Sequence, residues 1–133
     1  MNSTKALIQK YYEAFNSQNL EVLLECLHPE VIHDINEGDS EIGVHKFRQF
    51  LHRMNLHYKE HLQDIIIMLD ESGRHASAKF VVHGTYLQTD GGLPPARGQK
   101  YEIPALGVFE VENQRIRRVA TYYNLKKWIE LVR

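Results

Sequence analysis

The chain has 133 residues, 43% hydrophobic and 25% charged, with a formal net charge of -1. That length and apolar content predict one domain, 1–133, with a proper core. The near-neutral balance excludes the polyelectrolyte signature of a nucleic-acid or anionic-membrane partner, and a single cysteine, Cys26, excludes an internal disulfide and fits a reducing, cytoplasmic setting.

The opening M-N-S-T-K-A has no basic region followed by an apolar core, so no signal peptide is expected, and the apolar runs are too short to span a bilayer. Ser3 or Thr4 is placed to cap a first helix reaching about Ser17, with Leu7, Ile8, Tyr11 and Phe15 on one face. Asn19 is placed to cap a second helix from Leu20 to about Leu27. Cys26 sits there among Leu23, Leu24 and Leu27 and reads as a buried, inert thiol. His28-Pro29 ends that helix, because a residue before proline is pushed out of the helical region, and His28 is expected at its C-terminal end.

Val31–Asn36 is predicted as the first strand, with Asp34 in its middle. Aspartate favours turns and caps over strands. An acid there is either solvated or held in a pocket for chemistry. After a loop at Glu37–Ser40 and a break at Gly43, Val44–Asn55 carries Phe47, Phe50, Leu51 and Met54 on one helical stripe. Leu62–Asp70 reads as a strand closed by a turn at Asp70–Gly73.

Arg74–Thr89 is predicted as a long strand with Ala76, Ala78, Phe80, Val82, Gly84 and Tyr86 on one face and Ser77, Lys79, His83 and Thr85 on the other. The one long loop, Asp90–Gly98, leads to a strand over Lys100–Glu112, with Tyr101, Ile103, Ala105, Gly107, Phe109 and Val111 sharing a face. Arg115–Tyr123 follows as the last strand. Asn124 then caps a short helix with an apolar stripe of Leu125, Trp128, Ile129 and Val132. Early helices followed by long hairpin-linked strands predict an α+β domain: a cone-shaped, curved, mostly antiparallel sheet with helices covering its concave face. The hollow so formed is the default ligand site.

His57 and His61 lie four apart with Glu60 adjacent, but no third ligand stands at ligand spacing, so no metal is expected. There is no G-x-S-x-G, phosphate loop or dinucleotide fingerprint, and no cofactor is expected. The basic C-terminal residues, Arg115 to Arg133, read as solvated surface.

The helix Y-Y-E-A-F-N-S-Q-N-L-E-V-L, the segment L-H-P-E-V-I-H-D, the strand F-V-V-H-G-T-Y and the closing R-I-R-R-V-A-T-Y-Y-N resemble the nuclear transport factor 2-like superfamily. Within it they are most similar to SnoaL-like, ketosteroid isomerase-related proteins. The resemblance covers nearly the whole chain. It implies that Asp34 stands where steroid isomerases hold their general base and Tyr11 where they hold an oxyanion-binding tyrosine. Their second donor, a protonated aspartate, is missing, because Gly107 occupies the matching position. The same likeness turns Tyr86, Tyr123, Phe80, Val82, Ile103, Ala105, Phe109 and Val119 inward as ligand walls; Tyr86 and Tyr123 are the candidates to replace the missing donor, and read as walls before donors. It leaves His33 and His83 outside the cavity.

The resulting expectation is an isomerase-like or cyclase-like protein that binds a small, apolar or cyclic carbonyl compound, uses Asp34 as base with Tyr11 assisting, and forms a homodimer. The rival expectation is a non-catalytic ligand-binding or interaction module of the same fold.

Overall fold

The alternation in the second half of the chain folds as read. A computed structural model describes residues 2–133. In it β4 (His75–Tyr86) and β5 (Lys100–Glu112) pair antiparallel, with Ala78 opposite Gly107 and Phe80 opposite Ala105. Every second residue of β5 is buried, as a half-covered strand requires. β6 (Arg115–Tyr122) lies antiparallel to β5, and β1 (Leu27–Asp34) lies parallel to β6. The short β2 (Ser40–Ile42) edges β1, and β3 (Tyr58–Leu69) edges β4, giving a six-stranded mixed sheet in the order β2-β1-β6-β5-β4-β3.

Four helices accompany this curved, open sheet: α1 (Asn2–Asn16), α2 (Leu20–Glu25), α3 (Val44–His57) and α4 (Leu125–Val132). Their apolar stripes close on the inward residues of the strands. Ile8 from α1, Val31 from β1, Ile116 from β6 and Val132 from α4 are fully buried in one core. Burial of each such side chain stabilises the fold by roughly 1.5–3 kcal/mol. Cys26 lies in this core, its thiol 3.4 Å from the Val22 carbonyl.

Several boundaries differ from expectation. Thr4 lies inside α1, and its hydroxyl donates to the Gly73 carbonyl at 2.7 Å, pinning the helix to the β3–β4 turn instead of capping it. Asn19 does cap α2, but the helix ends at Glu25, and β1 starts at Leu27 with Pro29 inside it. Proline is tolerated there because β1 and β6 lose register between Leu27 and Ile32, so no ladder donor is missed. His28 accepts from the Glu30 amide at 3.0 Å and caps no helix. β2 is three residues long, too short to show a period. β3 begins at Tyr58, four residues ahead of the expected start, directly where α3 ends.

Candidate active-site cavity

Between the concave face of the sheet and the helices lies a cavity of about 400 Å³. Its walls are the inward residues of the strands: His33 on β1, Tyr58, Glu60 and Leu62 on β3, Phe80 and Val82 on β4, Tyr101, Ile103 and Ala105 on β5, and Val119 and Thr121 on β6. Tyr11 and Tyr12 on α1 and Phe47, Phe50 and Met54 on α3 complete it. Leu125 and Trp128 of α4 close one end, and Asn124 holds that helix by accepting the Lys127 amide at 3.0 Å. The Trp128 ring stands edge-on to Tyr58, Tyr86 and Tyr101, with centroids 5.8, 5.0 and 5.6 Å away.

Glu60 places a carboxyl among these walls. On β3 the residues Tyr58, Glu60 and Leu62 share the inward parity, so the acid faces the hollow while Lys59 and His61 face out. The Tyr101 hydroxyl donates a short hydrogen bond to the Glu60 carboxyl across the intervening β4. Gly84 of β4 makes that reach possible, since a Cβ there would fall on the Tyr101 ring and hydroxyl. Burial pushes the Glu60 carboxyl above the ordinary carboxylate range, and the Tyr101 hydrogen bond opposes it only in part. Burial, and then the Glu60 charge, hold Tyr101 well above an ordinary phenol, so it keeps its proton.

Asp34 is elsewhere. Val31 and His33 take the inward parity of β1, which puts Asp34 on the outer face. There its carboxylate accepts from Arg118 Nε at 2.7 Å and Nη2 at 3.0 Å and from the Ser40 hydroxyl at 2.5 Å. The Arg118 hydrogen bond is the main reason its pKa falls below the usual range. Asp34 is therefore corrected from a base in the cavity to the acid of an outer ion pair. His33 is corrected in the opposite sense, from outside to cavity wall. His83 does face away, its imidazole 3.9 Å from Glu102.

Of the expected ligand walls, Phe80, Val82, Ile103, Ala105, Val119 and Tyr123 line the cavity. Tyr86 and Phe109 do not. The Tyr86 hydroxyl is committed to the 90–98 loop, donating to the Pro94 carbonyl at 2.7 Å and accepting from the Asp90 amide at 3.0 Å. Phe109 packs edge-on behind Tyr11 and Tyr12, at 5.5 and 5.8 Å. Tyr11 is in the wall, and burial holds its phenol protonated. Over Gly107, where the resembled isomerases carry an aspartate, lies the hydroxyl of Tyr12. That hydroxyl is buried without a hydrogen-bond partner.

Asp90 also lines the cavity, accepting from the Tyr58 hydroxyl at 2.8 Å and from Arg53 at 3.4 Å. His57 contacts the Gln88 carbonyl at 3.1 Å, and His61 lies on the outer face opposite His83, so the two do not converge. No group of three histidines, cysteines, aspartates or glutamates among the described residues could hold a metal. No helix among them is long and apolar enough to cross a membrane. Sequence reasoning did not name Glu60, Tyr101, Tyr12 or His33 as cavity groups; the signals available were the face Tyr101 shares with Ile103 and Ala105 and the shared parity of Tyr58, Glu60 and Leu62.

Residues 8–119 match the family model of the SnoaL-like domain. The chain is similar to the crystal structure of a candidate polyketide cyclase of Xanthomonas campestris pv. campestris, with 44% identity and a TM-score of 0.96 over 99% of this chain and 98% of that one. A second candidate polyketide cyclase, from Silicibacter sp. TM1040, is 41% identical with a TM-score of 0.97 over 100% and 97% of the two chains. An LEH-like epoxide hydrolase of M. tuberculosis, 13% identical over 98% of this chain and 85% of that one, shares the fold with a TM-score of 0.74. The curated proteins give no match.

Proposed function

The chain belongs to the SnoaL-like domain family, and on that premise we propose that it catalyses proton transfer on a small, mostly apolar carbonyl compound, as an isomerase or cyclase, with Glu60 as base. The observation that carries this reading is a buried carboxyl, hydrogen-bonded by Tyr101, facing a hollow whose walls near it are mostly aromatic and aliphatic. A poorly solvated carboxylate is a stronger base once ionised than one in water. Glu60 takes a proton from the carbon beside the carbonyl, and the C–H electron pair moves into the enolate. The neutral acid then no longer needs the Tyr101 hydrogen, which turns to the enolate oxygen. Tyr11 supplies a second donor from α1.

Return of the proton to a different carbon completes an isomerisation. Attack of the enolate carbon on a second carbonyl of the same molecule, with the Glu60 proton passing to the new alkoxide, completes a cyclisation. Both routes balance without a co-reactant and restore Glu60. The likeness to candidate polyketide cyclases at more than 40% identity supports the cyclase route.

The test is deuterium uptake into a panel of cyclic ketones, followed by NMR, together with isomerisation of β,γ-unsaturated ketones. Rates above background that vanish in Glu60→Gln are expected. Background rates in the wild type leave a non-catalytic binding module. Asp34→Asn is expected to leave the rate unchanged, because Asp34 faces away from the cavity. Its effect falls on stability instead: a depressed carboxylate pKa stabilises the fold above the unfolded value and is lost as pH drops through the folded one.

A second copy of this chain is proposed as partner through the outer face of the sheet. Leu106 and Tyr122 stand opposite each other across β5 and β6, with Val108 two residues on, all well exposed. Lys79, Glu110 and Arg118 border them with both signs of charge, which a two-fold pairing can match. Val108→Glu is expected to halve the mass seen by light scattering. A monomeric wild type would overturn the pairing.

A further inference from the structure

We infer that His33 is a substrate-binding residue, and that the substrate carries two oxygen functions at opposite ends of one apolar body: a carbonyl at Glu60 and a hydroxyl or second carbonyl at the His33 imidazole. This rests on the proposed role of the cavity and extends it to the class of compound taken.

The first observation is an unmet hydrogen bond. His33 is only 7% exposed, lines the cavity, and its Nδ1 is buried without a partner. Buried polar groups are almost always paired, and an orphan costs about 1–3 kcal/mol. The ring is held edge-on against Phe47 and Phe50, with centroids 4.8 and 4.5 Å away. Those rings fix its orientation and offer it no acceptor. Burial lowers its pKa, against the raising influence of Glu41 and Asp34, so the imidazole is neutral near pH 7 and presents one donor and one acceptor. Tyr12, the other buried orphan among the described residues, is pressed over Gly107 instead.

The second observation is placement. His33 is on β1 and Glu60 on β3, with β6, β5 and β4 between them in the sheet. α3 spans the same gap: His33 packs on Phe47 and Phe50, and Glu60 follows just beyond the end of the helix at His57. The seven steps of helix from Phe50 to His57 rise about 10 Å. One oxygen cannot serve groups that far apart, but the two ends of a fused bicyclic compound can.

The test compares 2-tetralone with 6-hydroxy-2-tetralone, which adds a hydroxyl at the far end of the ring system. Binding is measured by calorimetry to wild type, His33→Phe and His33→Gln. The wild type is expected to prefer the hydroxylated ketone by about tenfold, the scale of one added hydrogen bond. In His33→Phe the ratio falls to about one, and His33→Gln, which keeps a donor and an acceptor, restores part of it. The ring nitrogens of wild-type His33, followed by 15N NMR, shift with the hydroxylated ketone and not with its parent, which needs no variant to fold. An equal affinity for both ketones in the wild type, or a preference that survives in His33→Phe, overturns the inference. If 2-tetralone binds and exchanges its α-protons while the hydroxyl adds nothing, only the role of His33 falls. If neither ketone binds, the cavity reading falls with it.

Discussion

Glu60→Gln is expected to slow deuterium exchange into bound ketones by about 10²–10⁴-fold, the usual contribution of a positioned base, while making the protein more stable at neutral pH. The amide keeps the size of the side chain and an oxygen to accept from Tyr101, so the wall of the cavity is preserved. What disappears is the group that can take a proton. The stability gain follows from the raised pKa of Glu60. Below the pKa of a carboxyl in the unfolded chain, both states hold the proton and burial costs nothing extra. As pH rises from there through the folded pKa, the unfolded chain releases its proton first, and the wild type loses stability. Glutamine has no proton to lose, so the difference between the two proteins opens across that window. Wild-type exchange should climb with pH over the same range, since only the ionised carboxyl is a base. Denaturant melts of both proteins from pH 4 to 8, set beside the exchange profile, check the coupling. A Glu60 that only anchored Tyr101 would lower stability at every pH when replaced and leave the pH profile flat.

The reach of sequence reasoning followed the clarity of the period. In β4 and β5 nearly every residue on the inner parity is apolar and the outer ones include Lys79, His83, Glu102 and Glu110, so the faces could be assigned at sight. Six of the eight expected ligand walls line the cavity, five of them on these strands or on β6 and the sixth, Tyr123, directly after it. β1 offered no such contrast. Val31 and Ile35 lie on one parity and Ile32 on the other, so the pattern did not say which face Asp34 takes. The likeness to isomerases supplied an answer that the parity of Val31 and His33 reverses. Glu60 was lost for another reason. The start of β3 reads Tyr-Lys-Glu-His-Leu, too polar to look like a buried strand. The strand then bulges between Gln63 and Ile66, with Asp64 at a φ of 57°, so the isoleucines that follow do not extend the phase of Glu60. Charged functional residues break the very alternation that would locate them.

Gly84→Ala tests whether the Glu60–Tyr101 pair depends on space left in the strand between them. A methyl at Gly84 would collide with Tyr101 at Cζ, Cε2 and the hydroxyl oxygen. The ring has little room to yield, because Trp128 stands edge-on to it at 5.6 Å and its hydroxyl is bonded to Glu60. Overpacking of this kind costs about 1–3 kcal/mol. At roughly 4 °C of Tm for each kcal/mol in a domain of this size, the loss is easily read by calorimetry. The larger consequence is chemical. If Tyr101 swings off, Glu60 loses its donor and the enolate oxygen loses its first hydrogen bond, so exchange should fall by about 10²-fold or more. Tyr101→Leu removes the ring that the methyl strikes. In that background Gly84→Ala should therefore cost little, leaving a large coupling between the two positions. Additive losses in the two single variants and the double would mean that the methyl acts on the β4 backbone itself, and that the glycine serves the strand and not the pair.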